Sequence, residues 1–439
     1  MKRVNLQIID VAKEGCQTAV SALRRTTLQD NPQVEAAVRE IVEDVRARGD
    51  TALLELGRRF DSSALESIHV TAQEWDAAQE AVDAASRQAL EAAAGNIIAF
   101  HERQRRTSWL DVREGVVTGQ LIRPLQRVGL YIPGGTAVYP STVLMCALPA
   151  RVAGVPELVL CTPCTKNGTI HPLVLFAAKL AGVSAVYKVG GAQAVAAMAF
   201  GTQSIPAVDK VVGPGNVYVN VTKRLLWGVV DIDMLAGPSE VCVVADDGAD
   251  PVFVAADMLA QAEHDVESAA YLITSSAALA KAVEREIQKR LERMPRREIL
   301  RRALEDHGAI IITETIEQAY ELADVCAPEH LALMVRNPLA ALGRIRNAGA
   351  ILMGDYAPQT LGDYLAGPSH TLPTGGTARF ASPLHVDTFL KKSSFIYYTP
   401  DALKGVAPHL RQLADAEGFE AHAAAVRARI PGMETKNDG

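Results

Sequence analysis

The stretch 127–161, RVGLYIPGGTAVYPSTVLMCALPARVAGVPELVLC, decides the fold. Arg127–Ile132 is a short apolar run that stops at Pro133-Gly134-Gly135, Ser141–Val152 has helical spacing, and Glu157–Cys161 reads as a strand again. Downstream the unit recurs. His171–Ala181 is a helix, and Ala185–Val189 is a strand closing on Gly190-Gly191. Ala192–Phe200 is helical, Lys210–Val212 ends in Gly213-Pro214-Gly215, and Asn216–Trp227 is helical. A strand, a glycine turn and a helix in repetition predict a parallel sheet with crossover helices.

A second run starts at Glu240–Ala245 and continues through helix 250–264, strand 269–273 and helix 275–293. It ends with strand 309–312, helix 315–325 and strand 350–353. Upstream, Val34, Val38, Ile41, Val42 and Val45 fall on one helical stripe, and 72–106 is helical with its main interruption at Gly95. The basic stretch Arg290–Arg302 alternates with acids and Leu, as a solvated helix face does. The fold class is therefore α/β. It has two Rossmann-like domains (incomplete, lacking the GxGxxG fingerprint), a helical N-terminal arm at 1–24 and a helical C-terminal tail at 384–439. One α/β domain is 131–240; the other joins 25–130 to 241–383.

With 49% hydrophobic and 22% charged residues over 439 positions, the chain has the composition of a globular protein with a large core. A net charge of −7 argues against a nucleic-acid or anionic-membrane partner, either of which needs a basic surface. The N-terminus lacks the apolar run of a secretory signal, and no apolar stretch is long enough to span a membrane, so a cytoplasmic protein is expected. The six cysteines are too scattered for a disulfide framework. Cys161 and Cys164 have redox spacing, which competes with a reading as two small residues at a strand end.

Several positions can carry chemistry, and each has an ordinary alternative. Gln261 and His264, three apart in a helical segment, share one face and can ligate a metal or form a polar surface patch. Asp363 lies between glycines and a proline, in an expected loop, as a ligand or a turn former. Glu417 and His422 in the tail read alone as surface residues. Ala327-Pro328-Glu329-His330 places an acid beside an imidazole at a proline-stiffened corner. Such a pair can divide proton transfer from water activation, or it is a capping Glu beside a half-buried His. No G-x-G-x-x-G follows any strand, yet the glycine turns before helices can hold phosphates through free N–H groups. Gly237-Pro238-Ser239-Glu240 adds a hydroxyl in a turn.

Taken together, and in this order, the motifs resemble those of the histidinol dehydrogenase family. They are 128-VGLYIPGG-135, 190-GGAQA-194, 213-GPGN-216, 233-DMLAGPSE-240, 261-QAEH-264, 327-APEHL-331, 361-LGDY-364 and 372-LPTGG-376, followed by Glu417, Gly418 and His422. Each is weak alone; the ordered set is specific and runs from about residue 30 to about residue 430. The resemblance implies NAD⁺-dependent, zinc-requiring oxidation of L-histidinol to L-histidine through bound L-histidinal, in a homodimer with one Zn²⁺ per subunit. It makes 131–240 the NAD domain and 25–130 plus 241–383 the zinc and catalytic domain.

By the same resemblance Gln261, His264, Asp363 and His422 match the zinc ligands, with His422 supplied by the partner's exchanged tail. Glu329 and His330 match the acid–base pair. Ser239, His370 and Glu417 match substrate contacts, which the zinc ligands and His330 also make; Tyr131, Gln193 and Asn216 match NAD contacts. Cys164 and Ser369 stand where the family more often has Pro and Asn, and neither is an expected ligand. Two other readings use the same residues. One is a paralogue oxidising another small alcohol, such as a sulfonated propanediol, against which Glu417 and His370 argue; the other is a zinc hydrolase with Glu329 as base.

Overall fold

Strands buried on both faces must carry apolar residues at every position, and this chain has two sets of them. The computed structural model describes residues 4–25, 31–134 and 137–430. Gly135 of the first glycine turn, residues 1–3 of the expected arm, residues 26–30 and tail residues 431–439 lie outside the described residues. The chain divides into two compact units, Met1–Arg105 with Leu125–Phe389, and Arg106–Pro124 with Leu390–Gly439. In chain order the strands begin with β1 (Gln7–Asp10), β2 (Trp109–Arg113), β3 (Val116–Pro124), β4 (Arg127–Tyr131), β5 (Glu157–Thr162), β6 (Ala185–Lys188) and β7 (Lys210–Val212). They continue with β8 (Asp231–Ile232), β9 (Glu240–Ala245), β10 (Ala269–Thr274), β11 (Gly308–Ile312), β12 (His330–Met334), β13 (Ala350–Met353) and β14 (Leu390–Tyr398).

The first unit holds two parallel sheets. One has the order β6-β5-β4-β7-β8, which is third-second-first-fourth-fifth, the doubly wound order. Leu158 and Leu160 of β5 join one core cluster and Val159 and Cys161 the other, so successive residues feed opposite faces. Helices Pro140–Ala153, Pro172–Leu180 and Ala84–Glu102 cover one face. Gly191–Phe200, Val217–Leu226 and Pro32–Arg48 cover the other.

The expected division of domains changes accordingly. Val34, Val38, Val42 and Val45 pack with Val195 and Val211, so the helices between 32 and 102 belong to the five-stranded sheet rather than to the 241–383 part. That sheet also starts at Arg127, four residues before 131. The helical stretch 72–106 breaks at Val82-Asp83 and not at Gly95: the Asp83 carboxylate accepts the Ser86 N–H and starts a new helix, while Gly95 stays helical.

The second sheet has the order β1-β11-β10-β9-β12-β13, all parallel, which repeats the doubly wound order with β1 added at an edge. The expected arm is therefore partly strand. Gln7–Asp10 pairs residue for residue with Ala309–Ile312, and Ile9 is fully buried. The helix Arg297–His307 and strand β12 fill the two gaps that the sequence pattern leaves, between 293 and 309 and between 325 and 350.

The second unit, described by itself, is a three-stranded antiparallel sheet β14-β3-β2 with helices Pro400–Ala416 and Glu420–Arg427 packed on each other. The tail expected to be helical thus opens with a strand, 390-LKKSSFIYY-398, whose side chains are mostly exposed and carry no alternation to betray it. No helix among the described residues is long and apolar enough to cross a membrane.

Ile9→Ala tests whether the N-terminal segment is integral to the second sheet. It should destabilise the protein by roughly 2–5 kcal/mol in urea unfolding, as truncation of a buried Ile does; an unchanged midpoint would return the segment to a loose arm.

Candidate active site

The acid–base candidates sit at the N-terminal edge of the six-stranded sheet, where β9 and β12 start side by side with His330 opposite Val241. Helix Ile316–Cys326 ends on Ala327 at φ 47°, the one non-glycine residue with positive φ among the described residues. That strained corner, followed by Pro328, turns the chain so that Glu329 enters the protein just before the strand. Glu329 and His330 are both buried. The Glu240 N–H donates to Glu329 Oε2 at 2.9 Å, and the Ser239 hydroxyl bonds the same carboxylate. Glu329 Oε2 lies 3.7 Å from His330 Nδ1, and Asp363 Oδ1 lies 3.6 Å from His330 Nε2.

Burial raises the Glu329 pKa against the pull of His330. Burial opposes the charged His330, but Glu329 and Asp363 outweigh it and hold its pKa above the ordinary value. Burial works against the Asp363 charge too, yet the bond from His330 prevails and its pKa is lowered. His330 Nδ1 has no hydrogen-bond partner, which leaves one ring nitrogen free to exchange a proton.

Gln261 and Asp363 meet where two helices approach, and His264 joins them. Gln261 lies in the last turn of Pro251–Ala262, and His264 falls just beyond that helix, its N–H returning to the Gln261 carbonyl. Asp363 is not in a loop as expected but on a short helix, Gln359–Tyr364, because Pro358 starts a turn of helix that the flanking glycines conceal. Desolvation lowers the His264 pKa, with Asp363 acting in the opposite direction. A cavity of about 640 Å³ opens on His264, Asp363, Gln359, Tyr139 and Arg296, ample for a small amino alcohol.

The donor chemistry of this set fits a metal. Gln359 Nε2 donates to Gln261 Oε1 at 2.6 Å, while Gln261 Nε2 and Gln359 Oε1, both buried, are left without partners. Exchanging both amide ends, which are assigned from the bonding network, satisfies that pair and frees Gln261 Oε1 as a ligand. Among the described residues no group of three or more His, Cys, Asp or Glu could hold an ion, so the amide oxygen is needed to complete the set.

His370 is bonded at both ring nitrogens. Its Nδ1 bonds the Asp363 carbonyl at 2.8 Å and its Nε2 meets the Thr142 hydroxyl at 3.1 Å, so one nitrogen holds Asp363 and the other ties it to Thr142. Glu417 and His422 belong to the second unit, where both are exposed at the junction of its two helices, with the His422 ring 5.0 Å from Phe419.

The three expected cofactor contacts gather at the C-terminal edge of the five-stranded sheet. The Tyr131 hydroxyl accepts the Gly191 N–H at 3.1 Å, Gln193 is buried beside that turn, and Asn216 caps helix Val217–Leu226 through the N–H groups of Tyr218 and Val219. A Cβ on Gly213 would strike the Tyr131 carbonyl, so the crevice between β4 and β7 needs glycine there. Bare backbone at the switch point of a doubly wound sheet suits a dinucleotide. Lys223, buried, donates to the Gly213 carbonyl at 2.5 Å and to Asp233 Oδ1 at 2.7 Å; Asp233 Oδ2 in turn accepts the Gly213 N–H at 2.7 Å. Cys161 and Cys164 are free thiols whose pKa values burial raises, which works against a thiolate role.

Sequence reasoning missed Gln359, Thr142, Glu240, Lys223 and Asp233. It also missed Asp257, a buried carboxylate whose Oδ2 lacks a partner and whose pKa burial pushes up to about 6, close enough to feel His330. Asp233 and Glu240 bound the motif 233-DMLAGPSE-240 without being singled out there, and for Asp257 the signal was helical spacing, four residues before Gln261.

The histidinol dehydrogenase family model matches residues 23–430. The chain is 49% identical over 414 residues to histidinol dehydrogenase of Bacillus thuringiensis subsp. konkukian, covering 94% of this chain and 96% of the relative. It is 52% identical over 399 residues to that of Moorella thermoacetica, covering 90% and 94%. The crystal structure of histidinol dehydrogenase from Elizabethkingia anophelis is similar with a TM-score of 0.92 and 36% identity, over 98% of this chain and 99% of that one. Likeness of this depth along nearly the full length leaves one assignment: the chain belongs to the histidinol dehydrogenase family.

Proposed function

We propose that the protein oxidises L-histidinol to L-histidine in two successive NAD⁺-dependent steps, with L-histidinal held between them and Zn²⁺ in the site. The observation that carries this reading is the buried pair Glu329–His330 with the half-buried Asp363 at its far side, whose charge His264 also feels. When bound, NAD⁺ supplies the hydride acceptor for each oxidation, and Zn²⁺ orients and polarises the substrate's donor atoms. Gln261, His264 and Asp363 would hold the metal. Tyr131, Gln193 and Asn216 would hold the dinucleotide.

The chain's own residues then divide the proton work. His330, with Nδ1 unpartnered, takes the hydroxyl proton as the alcohol becomes an aldehyde. Glu329, fixed by the Glu240 N–H and Ser239, removes a proton from the water that adds to the aldehyde. The hydrate so formed is the substrate of the second oxidation. Burial excludes bulk water from both groups, which strengthens their interaction with developing charge. Glu417 offers a carboxylate to a cationic amine or imidazole.

A homodimer completes the reading, with His422 and Glu417 supplied by the tail of a second copy. Two features support it. His422 and Glu417 are exposed, and the sheet of the second unit carries exposed apolar side chains on both faces, Leu110, Val112 and Tyr397 on one and Trp109 and Ile396 on the other, which association would cover.

Zinc-loaded protein should yield about two NADH per L-histidinol, lost on chelation and restored by Zn²⁺. Turnover of a different small alcohol alone would move the chain to a paralogous substrate, and no NADH from any alcohol would favour the hydrolase. His330→Ala should lower kcat by roughly 10²- to 10⁴-fold, as loss of a general base does; near-normal kcat would remove it from proton transfer.

Mixing His330→Ala with His422→Ala protein, each inactive alone, should restore about a quarter of wild-type activity, since half of the dimers carry one intact site. No recovery after verified subunit exchange would exclude a shared site.

Glu240 gives a pH prediction. Burial, and then the Glu329 charge, push its pKa from 4.5 up to about 7. The folded state holds this proton more tightly than the unfolded one, so its contribution is fully present below about pH 4.5 and is lost as pH rises through about 7. The metal-free Tm should fall between pH 5 and 8, and Glu240→Gln should flatten that fall. A variant profile parallel to wild type would sink the assignment.

A further inference from the structure

Doubly wound dinucleotide sheets carry an acidic residue near the end of their second strand, where it binds ribose hydroxyls. Here the second strand is β5, and it runs out through Cys161-Thr162-Pro163-Cys164 without an acid. A carboxylate stands at that end nevertheless, delivered from outside the strand–helix repeat. Asp61 closes helix Asp50–Phe60, and the turn after it brings its side chain to the glycines that follow β6. A Cβ on Gly190 would meet Pro163 Cβ at 2.7 Å and both Asp61 carboxylate oxygens at 3.1 Å, so these three residues are mutual neighbours.

The carboxylate is poorly satisfied where it lies. The Gly190 N–H reaches it, but Oδ2 is shut off from water and has no partner. Lys188, at the end of the neighbouring strand, is engaged by Glu74 at 2.5 Å. Burial pushes the Asp61 pKa up to about 6, so the group is charged at neutral pH. A charged, half-satisfied carboxylate is costly in a fold and calls for a donor that the chain does not provide. Its charge is felt by Tyr131, whose hydroxyl holds the next glycine, Gly191. Asp61 thus shares a turn with two of the expected cofactor contacts, Tyr131 and Gln193.

We propose that Asp61 is the ribose-binding carboxylate of the dinucleotide site, accepting hydrogen bonds from the adenosine ribose hydroxyls and repelling a 2′-phosphate. This rests on the NAD⁺ reading above. It explains how the site recognises a ribose without the strand-end acid of the usual fingerprint, and it makes Asp61 a determinant of NAD⁺ over NADP⁺.

Calorimetric titration of the full-length protein with NAD⁺, its 2′-deoxyadenosine analogue and NADP⁺ tests the assignment. Wild type should bind the deoxy analogue roughly 10- to 100-fold more weakly than NAD⁺, the size of a hydrogen bond to a charged group. Asp61→Asn should weaken NAD⁺ binding, shrink the penalty for the missing hydroxyl and narrow the preference over NADP⁺, while zinc content and histidinol binding stay as in wild type. Gly190→Ala, whose methyl would crowd the Asp61 oxygens, should erode the same discrimination and provides a second variant should Asp61→Asn fail to fold. Equal wild-type affinity for NAD⁺ and the deoxy analogue overturns the proposal, as does undiminished discrimination in either folded variant. Wild type that binds no NAD⁺ overturns the cofactor reading itself, a result distinguishable from failure at Asp61.

Discussion

A single buried ion pair, Lys223 with Asp233, holds the crossing from one parallel sheet to the other. Burying two ions costs several kcal/mol each unless their remaining bonding capacity is met. Here the Gly213 carbonyl, the Gly213 N–H and the Met234 N–H meet it. The turn after β7 is thereby gripped at both its polar groups. Asn220 adds a second tie, donating to the Gly215 and Ala236 carbonyls. The loop that leaves β8 is anchored to the Gly213–Gly215 turn before it reaches Ser239 and Glu240, and the Gly237 N–H fixes its far side to Thr374. Through Glu240 the same path reaches the Glu329 carboxylate. Removing either ion would leave the other buried and unpaired, so the effect would extend well beyond one turn.

Much of this architecture was legible in the residues. Both sheets announced themselves through apolar runs closed by glycine turns, because strands covered on both faces have no polar positions to blur the pattern. What escaped were elements without that pattern. β1 has Gln7 and Asp10 at its ends, β2 and β14 expose most of their side chains, and β3 is half-buried along nearly its whole length, so no periodicity marks them. The allotment of residues 32–102 also escaped. A valine stripe says that a helix is buried on one side but not which sheet receives it, and only the packing of Val38 and Val42 on Val195 answers that.

The candidate site shows the same boundary. Gln261, Glu329, His330 and Asp363 stood out because unusual residue types recur in short ordered motifs. Their supports did not. Thr142 and Gln359 lie in unremarkable helical sequence and reach the site only through tertiary structure, as Asp257 and Asp61 do. Sequence names the groups that do chemistry more readily than those that aim them, since a positioning residue needs only the right place and one polar atom. His370 illustrates the point: the family resemblance singles it out, while its geometry has one ring nitrogen on the Asp363 carbonyl and the other on the Thr142 hydroxyl.

The two sheets share one strand order but work from opposite edges, and this has an electrostatic consequence. At the C-terminal edge of the five-stranded sheet helices begin, Gly191–Phe200 and Val217–Leu226 among them, and their aligned peptide dipoles put about half a positive charge there. At the N-terminal edge of the six-stranded sheet helices end, as Pro251–Ala262 does at Gln261 and Ile316–Cys326 does at Ala327, and they present about half a negative charge. The first edge therefore favours an anionic ligand and the second a cationic one. One chain topology, used in both polarities, thus presents fields of opposite sign from its two sheets before any side chain adds to them.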